Sequence, residues 1–170
     1  MTDMFFEMPR SKRDRSLSNY FFDLESGTPV DVRLAPPFGS RKNVAMRDRG
    51  RVSLYSGGGG LVSNAVDFAR FAEAMRNGVS LNGTNILGPK IVIYMAANHL
   101  SADSGFAGFG EQPGVAAVET AAGFGLGFGA VTIAAKDAVI GRVREYNWGG
   151  AAGTVLLIDP VQELVAVNMI

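Results

Sequence analysis

The chain of 170 residues contains no cysteine, one histidine and one tryptophan. Without cysteine there is no disulfide and no thiolate metal site, and the redox compartment leaves no trace in the sequence. A single imidazole, His99, cannot build a multi-histidine metal centre. No metal and no cofactor are therefore expected. Net charge is missing too. Lys+Arg and Asp+Glu both number 16, which gives no general attraction to nucleic acid or to an anionic membrane. The basic side chains that do cluster, Arg41, Lys42, Arg47, Arg49 and Arg51, lack the interleaved aromatics of a strand-binding surface and read as a solvated loop. Long apolar runs are absent as well. The longest uncharged stretch, residues 120–135, is broken by glycines and falls short of the ~18 apolar residues of a membrane span. The opening MTDMFFEMPRSKR has no apolar core of a signal peptide.

What remains is the composition of a globular domain, 47% hydrophobic and 19% charged. The clearest element is YSGGGGLVSNAVDFARFAEAMRNG. Phe68, Phe71, Ala72 and Met75 recur at i, i+3, i+4 and i+7 and predict an amphipathic helix with these side chains buried. Ser63 or Asn64 can cap its start, and Gly78 can end it. Asn82-Gly83 signals a turn. Pro89 can open a second helix reaching about Asn98, although Ile91, Val92 and Ile93 would also suit a strand. SADSGFAGFGEQPGVAAVETAAG, residues 101–123, reads as a long surface loop.

The last third predicts antiparallel strands over residues 123–133, 142–149, 153–158 and 163–169, with a turn at Asp159-Pro160. In GFGLGFGAVTI the alternation puts Phe124, Leu126 and Phe128 on one face and glycines on the other. The first fifty residues are irregular, with a possible strand in LSNYFFDL. Helices followed by strands give an α+β fold, an antiparallel sheet with packed helices.

Several glycine patterns carry no chemistry. GLGFGA fits the looser dinucleotide fingerprint, but no helix follows it inside a βαβ unit. Ser56 to Gly60, SGGGG, has no Gly-Lys-Ser/Thr after it, so it is no phosphate loop. There is no G-x-S-x-G nucleophile elbow. YNWGGAAGTVLLIDP remains unexplained: a strand this bare of side chains at Gly149, Gly150, Ala151, Ala152 and Gly153 either admits a ligand or another backbone, or marks a tight turn or bulge.

Taken in order, GGGGLVSNAVDFARFAEAMRNG, LNGTNILGPKIVIYMAANHL, GFGLGFG and YNWGGAAGTVLLIDP resemble the C-terminal half of a serine β-lactamase-like hydrolase. That superfamily includes class C β-lactamases, penicillin-binding proteins, D-alanyl-D-alanine peptidases and family VIII carboxylesterases. Its members carry Ser-x-x-Lys, then Tyr-x-Asn or a variant, then Lys-Thr-Gly or, in esterase-like members, Trp-Gly-Gly. Trp148-Gly149-Gly150 matches the third motif in its esterase-like form. The first two motifs do not occur in these residues, and in the family both precede the region resembled. The resemblance thus implies a partial β-lactamase/transpeptidase-like domain over residues 1–170, with the nucleophile and base elsewhere.

It also implies roles. The Ala151 N–H would be one of two oxyanion-hole donors, beside Gly150. Trp148 and Gly149 would line the substrate on the leaving-group side, the alternative for Trp148 being a plain sheet-covering residue. Gly59 and Gly60 would lie near the acyl pocket. The implied substrate is a small carboxylic ester, or alternatively a β-lactam or D-amino-acid peptide; a non-catalytic truncated or degenerate homologue is the other alternative. By inventory, this chain alone is expected to be inactive by the family mechanism, and to self-associate through apolar surface that the missing half would share.

Overall fold

The computed structural model describes residues 1–18, 20–31, 55, 57–58, 60–78, 80–81, 83–85, 87–100, 123–130, 143–150 and 153–169. The basic cluster from Arg41 to Arg51 and residues 101–122 of the expected loop lie outside them, as do Gly59 and Ala151. The chain divides into two units, Thr2–Asn64 and Ala65–Ile170.

The first unit has little apolar periodicity and is held by short polar ties. A 3-10 helix, Arg10–Arg15, follows Pro9. Its Lys12 and Arg15 form ion pairs with Asp3, Arg15 Nη1 at 2.8 Å. These bonds, Lys12 first, hold the Asp3 carboxyl below its ordinary range. Lys12 also stands 4.8 Å from the centre of the Phe5 ring. Phe5 in turn exchanges both backbone hydrogen bonds with Val62, at 2.9 and 2.8 Å. The LSNYFFDL stretch supplies β1 (Tyr20–Asp23), antiparallel to β2 (Thr28–Asp31). Gly27 turns the chain between them at φ +66.

The second unit opens with α1 (Ala65–Asn77), the helix read from the sequence. Asp67 lies in its first turn, where the helix dipole favours a carboxylate, and pairs with Arg70 at 2.8 Å. Gly78 closes it at φ +61, the left-handed conformation that glycine adopts without penalty. Ala72 and Met75 are buried, whereas Phe68 and Phe71 stack on one another at 6.0 Å and are only half-buried at the core margin. Gly83, at φ +80, lies between β3 (Ser80–Leu81) and β4 (Thr84–Asn85). The second helix, α2, runs from Pro89 to Ala96, two residues short of the expected end. It stops there because Asn98 and His99 bond to the sheet instead.

Among the described residues that sheet has five antiparallel strands in chain order: β5 (Gly123–Phe124), β6 (Gly129–Ala130), β7 (Tyr146–Gly149), β8 (Val155–Asp159) and β9 (Leu164–Asn168). The period of two in β8 and β9 sorts side chains cleanly. Cross-strand pairs Tyr146–Ile158, Leu156–Val167 and Ile158–Val165 share one face, and this face packs with α1 and α2 through Phe68, Ala72, Met75, Val92 and Met95. Burying a side chain such as Met75, Leu156 or Ile158 contributes about 1.5–3 kcal/mol. At the turn after β8, the Asp159 carboxylate is buried and accepts from the N–H groups of Val161 (2.8 Å) and Gln162 (3.0 Å). An Asx-type turn is what Asp-Pro at this place encodes.

GFGLGFG departs from the sequence reading. It is a tight hairpin rather than one alternating strand: Gly125 N–H donates to the Phe128 carbonyl at 2.7 Å and Gly127 takes φ +98. Leu126 at the tip is therefore exposed, while Phe128 is buried against Tyr146 at 5.2 Å between ring centres. The alternation was genuine, but glycines at every second position let the chain reverse instead of extend.

Tyr146 lies at the centre of this core, 2% exposed, and among the described residues its hydroxyl has no hydrogen-bond partner. Burial pushes its pKa up to about 12, opposed by the positive Arg76. Tyr146→Phe should therefore raise stability by about 1 kcal/mol at neutral pH, because an unpaired buried hydroxyl is removed. The folded state holds the phenolic proton up to about pH 12, whereas the unfolded chain releases it near pH 10. Between those values the unfolded state binds fewer protons, so stability falls as pH rises. The wild type should lose about 2–3 kcal/mol relative to Tyr146→Phe across that window. Urea unfolding of both proteins from pH 9 to 12 checks this; parallel curves would show that the phenol is not shielded.

Candidate active site

The Trp-Gly-Gly stretch forms the end of β7. Tyr146 and Asn147 are paired on both sides, to β6 and to β8. Trp148 and Gly149 are paired with Leu156 and Val155 of β8, and the ladder with β6 ends at Asn147. The motif lies on an interior strand, and among the described residues its edge is unpaired only at the last residues, because β6 is two residues long and its chain turns back at Leu126–Gly127.

Antiparallel pairing then decides which backbone groups are open. Gly150 N–H donates to the Thr154 carbonyl at 2.8 Å, so Gly150 faces β8. N–H and C=O groups alternate sides along a strand. Those of Gly149 therefore point away from β8, to the side where β6 has ended. The chain reverses directly afterwards: Gly153 N–H donates to the Gly150 carbonyl at 2.9 Å, with Gly153 at φ +80.

The bareness of the stretch thus has two separate causes. Gly153 supplies a left-handed turn residue. At Gly150 a Cβ would stand 2.5 Å from Thr154 Oγ1, so part of the small-residue requirement is the tight reversal itself. At Gly149, among the described residues, no strand pairs on the side away from β8, which is a second and independent feature.

Trp148 is half-buried and meets Phe124 edge to face, 4.7 Å between ring centres and 62° between planes. Phe124 is a site neighbour that the sequence reading did not single out. Its backbone is clamped by the residues after α2: Asn98 Oδ1 accepts from Phe124 N–H at 3.0 Å, and His99 N–H donates to Phe124 C=O at 2.8 Å. The glycines flanking Phe124 make room for this clamp. A Cβ at Gly123 would run into the Asn98 side chain, and one at Gly125 into the Met95 carbonyl.

His99 has no catalytic geometry. Its Nε2 faces the Tyr94 carbonyl at 2.7 Å, and since a carbonyl only accepts, Nε2 is the protonated nitrogen. The ring caps the end of α2 and lies 4.6 Å from Tyr94. Among the described residues no group of three or more His, Cys, Asp and Glu could hold a metal ion, and no helix is long and apolar enough to cross a membrane.

Of the residues singled out from the sequence, Trp148, Gly149 and Gly150 are adjacent on β7 and its turn. Gly60 is half-buried at φ +102 in the first unit. Ala151 and Gly59 fall outside the described residues.

Comparison with known proteins bears on the whole chain. The family model described as Beta-lactamase matches residues 1–170. Two curated proteins of Mycobacterium tuberculosis are similar: "Uncharacterized protein MT1414" of strain CDC 1551 / Oshkosh and "Protein Rv1367c" of strain ATCC 25618 / H37Rv. Each is 27% identical over 173 residues, which covers 100% of this chain and 39% of the relative. The chain thus spans well under half the length of these relatives.

Proposed function

Since the chain belongs to the β-lactamase family, in the serine β-lactamase and transpeptidase-like superfamily, we propose that it is the C-terminal part of a serine hydrolase acting on carboxylic esters. The observation that supports this reading best is the open backbone edge of Gly149 beside Trp148. On this reading a carbonyl substrate lies along the end of β7 and meets the Gly149 N–H. In such a site a serine Oγ attacks the ester carbonyl, the alcohol departs with a proton, and water then releases the acid from the acyl-enzyme. Backbone donors aimed at the oxyanion lower the barrier by roughly 3–4 kcal/mol. The Ala151 N–H is our candidate for one of them.

Ester rather than β-lactam chemistry is favoured because Trp148-Gly149-Gly150 matches the third motif in its esterase-like form and departs from the lysine form. No serine in residues 1–170 is followed three positions later by lysine. The nucleophile and base of the proposed enzyme therefore belong to sequence outside this stretch.

Two preparations test the proposal: the 170-residue chain, and a longer product of the same reading frame that contains Ser-x-x-Lys. Each is given a p-nitrophenyl ester, a chromogenic cephalosporin and a fluorophosphonate probe. We expect ester turnover and labelling of one serine in the longer protein, and neither in the short one. Cephalosporin turnover in preference to the ester would move the assignment to the β-lactamases. Saturable turnover by the short chain would refute the external nucleophile.

A further inference from the structure

We propose that Gly153 is a positioning residue for the reaction: its N–H, by holding the Gly150 carbonyl, aims the opposite N–H of the same peptide unit at the oxyanion. The inference rests on the serine-hydrolase reading and on Ala151 as the proposed donor.

The bonds around Gly150 carry it. Gly150 N–H donates to the Thr154 carbonyl at 2.8 Å, and the Gly150 carbonyl accepts from Gly153 N–H at 2.9 Å. Both polar groups of Gly150 are thus tied to the far side of the reversal. A peptide unit is planar and trans, so its C=O and N–H point in opposite directions. The unit that begins with the Gly150 carbonyl ends with the N–H proposed as donor. With the carbonyl held towards the β8 side, that N–H is directed away from β8, as the polar groups of Gly149 are. A flip of this one peptide would exchange the two, and a carbonyl oxygen would then face the oxyanion and repel it.

Gly153 opposes that flip. Its φ of +80 is left-handed, and a short hairpin loop with this bonding pattern closes through a left-handed residue. Gly153 is exposed, so close packing does not call for glycine there; the backbone conformation does. Asparagine tolerates that conformation, whereas valine, branched at Cβ, does not. The pairs Trp148–Leu156 and Gly149–Val155 hold the ladder below the reversal, so a change at Gly153 acts on the turn first.

The test uses the longer, serine-containing protein with p-nitrophenyl acetate, the thionoester in which sulfur replaces its carbonyl oxygen, and a chromogenic cephalosporin. Gly153→Val should lower kcat for the oxygen ester about a hundredfold with little change in KM, the loss of one oxyanion donor. Gly153→Asn should restore most of it, and Gly153→Ala should fall between. Sulfur is a weak hydrogen-bond acceptor. The preference of the wild type for the oxygen ester over the thionoester should therefore shrink about tenfold or more in Gly153→Val, which a merely loosened fold does not produce.

Ester turnover with the same oxygen-to-sulfur ratio in wild type and Gly153→Val would overturn the positioning role and leave the ester reading standing. Cephalosporin turnover in place of ester turnover, lost in Gly153→Val and restored in Gly153→Asn, would uphold the role and refute the ester reading. Turnover of neither substrate would overturn both. Hydrogen exchange of the Gly153 amide needs no variant. Protection of about tenfold or more is expected in the wild type, and exchange at the unprotected rate would overturn the role even where Gly153→Val does not fold.

Discussion

Gly125→Ala is expected to destabilise the protein by about 3 kcal/mol or more, the upper end of what overpacking costs. The new Cβ would overlap the Met95 carbonyl oxygen and approach the Ala97 carbonyl oxygen at 2.9 Å. Both are backbone atoms at the end of α2 and cannot rotate away. Moving them would also break the bond from Leu126 N–H to Met95 C=O, 2.8 Å, which satisfies one of the helix's terminal carbonyls. Two neighbouring glycines calibrate the effect. Gly127→Ala meets open space and carries only the strain of φ +98, about 1–2 kcal/mol. Gly123→Ala meets the Asn98 side chain, which can turn aside only by giving up its bond to Phe124, so it should fall between the two. Urea unfolding followed by circular dichroism gives the ranking. A Gly125→Ala protein within 1 kcal/mol of wild type would show that α2 and the β5–β6 hairpin are not in contact as described.

A second large effect is expected at Gly150. On the proposed mechanism, Gly150→Val in the serine-containing protein should lower kcat about a hundredfold with little change in KM, since a shift of about 1 Å at the proposed Ala151 donor costs that much. The structure separates two causes for such a loss. If the new side chain acts by pushing on Thr154 Oγ1, 2.5 Å from the Cβ position, removing that hydroxyl should relieve it. Gly150→Ala with Thr154→Ala should then recover most of the rate lost in Gly150→Ala alone, a coupling that a double-mutant cycle measures directly. If the side chain instead obstructs the substrate, the two changes should add. Unchanged kinetics in Gly150→Val would remove the β7 turn from the mechanism altogether.

Much of the framework was legible because it rests on period and punctuation. The i, i+3, i+4, i+7 spacing gave α1 within a residue of its ends, and Gly78, Asn82-Gly83 and Asp159-Pro160 marked turns with their own local chemistry. Two things were not legible. In GFGLGFG a strand and a hairpin have the same alternating pattern, and the choice is made by Met95 and Asn98, some thirty residues earlier in the chain. Long-range capture of a backbone leaves no local signature. The candidate site shows the same limit: Trp148, Gly149 and Gly150 can be singled out as a contiguous motif, whereas the contact of Phe124 with Trp148 depends on strand pairing and the Asn98 clamp. Nor does the motif reveal that β7 is interior to the sheet, because the length of β6 is what sets where its edge opens.

The ties at Asn98 and His99 have a consequence for variation in chain length. Asn98 Oδ1 accepts from both Leu100 N–H and Phe124 N–H, and His99 N–H reaches Phe124 C=O. The two ends of residues 101–122 are thereby joined at a fixed stem. Once a stem is fixed, the entropy of closing the chain between its ends grows only with the logarithm of its length, about 0.6 kcal/mol for each doubling. What the stem fixes is therefore the meeting of residues 98–100 with Phe124, and the length of chain between its two sides adds little to the cost of that closure.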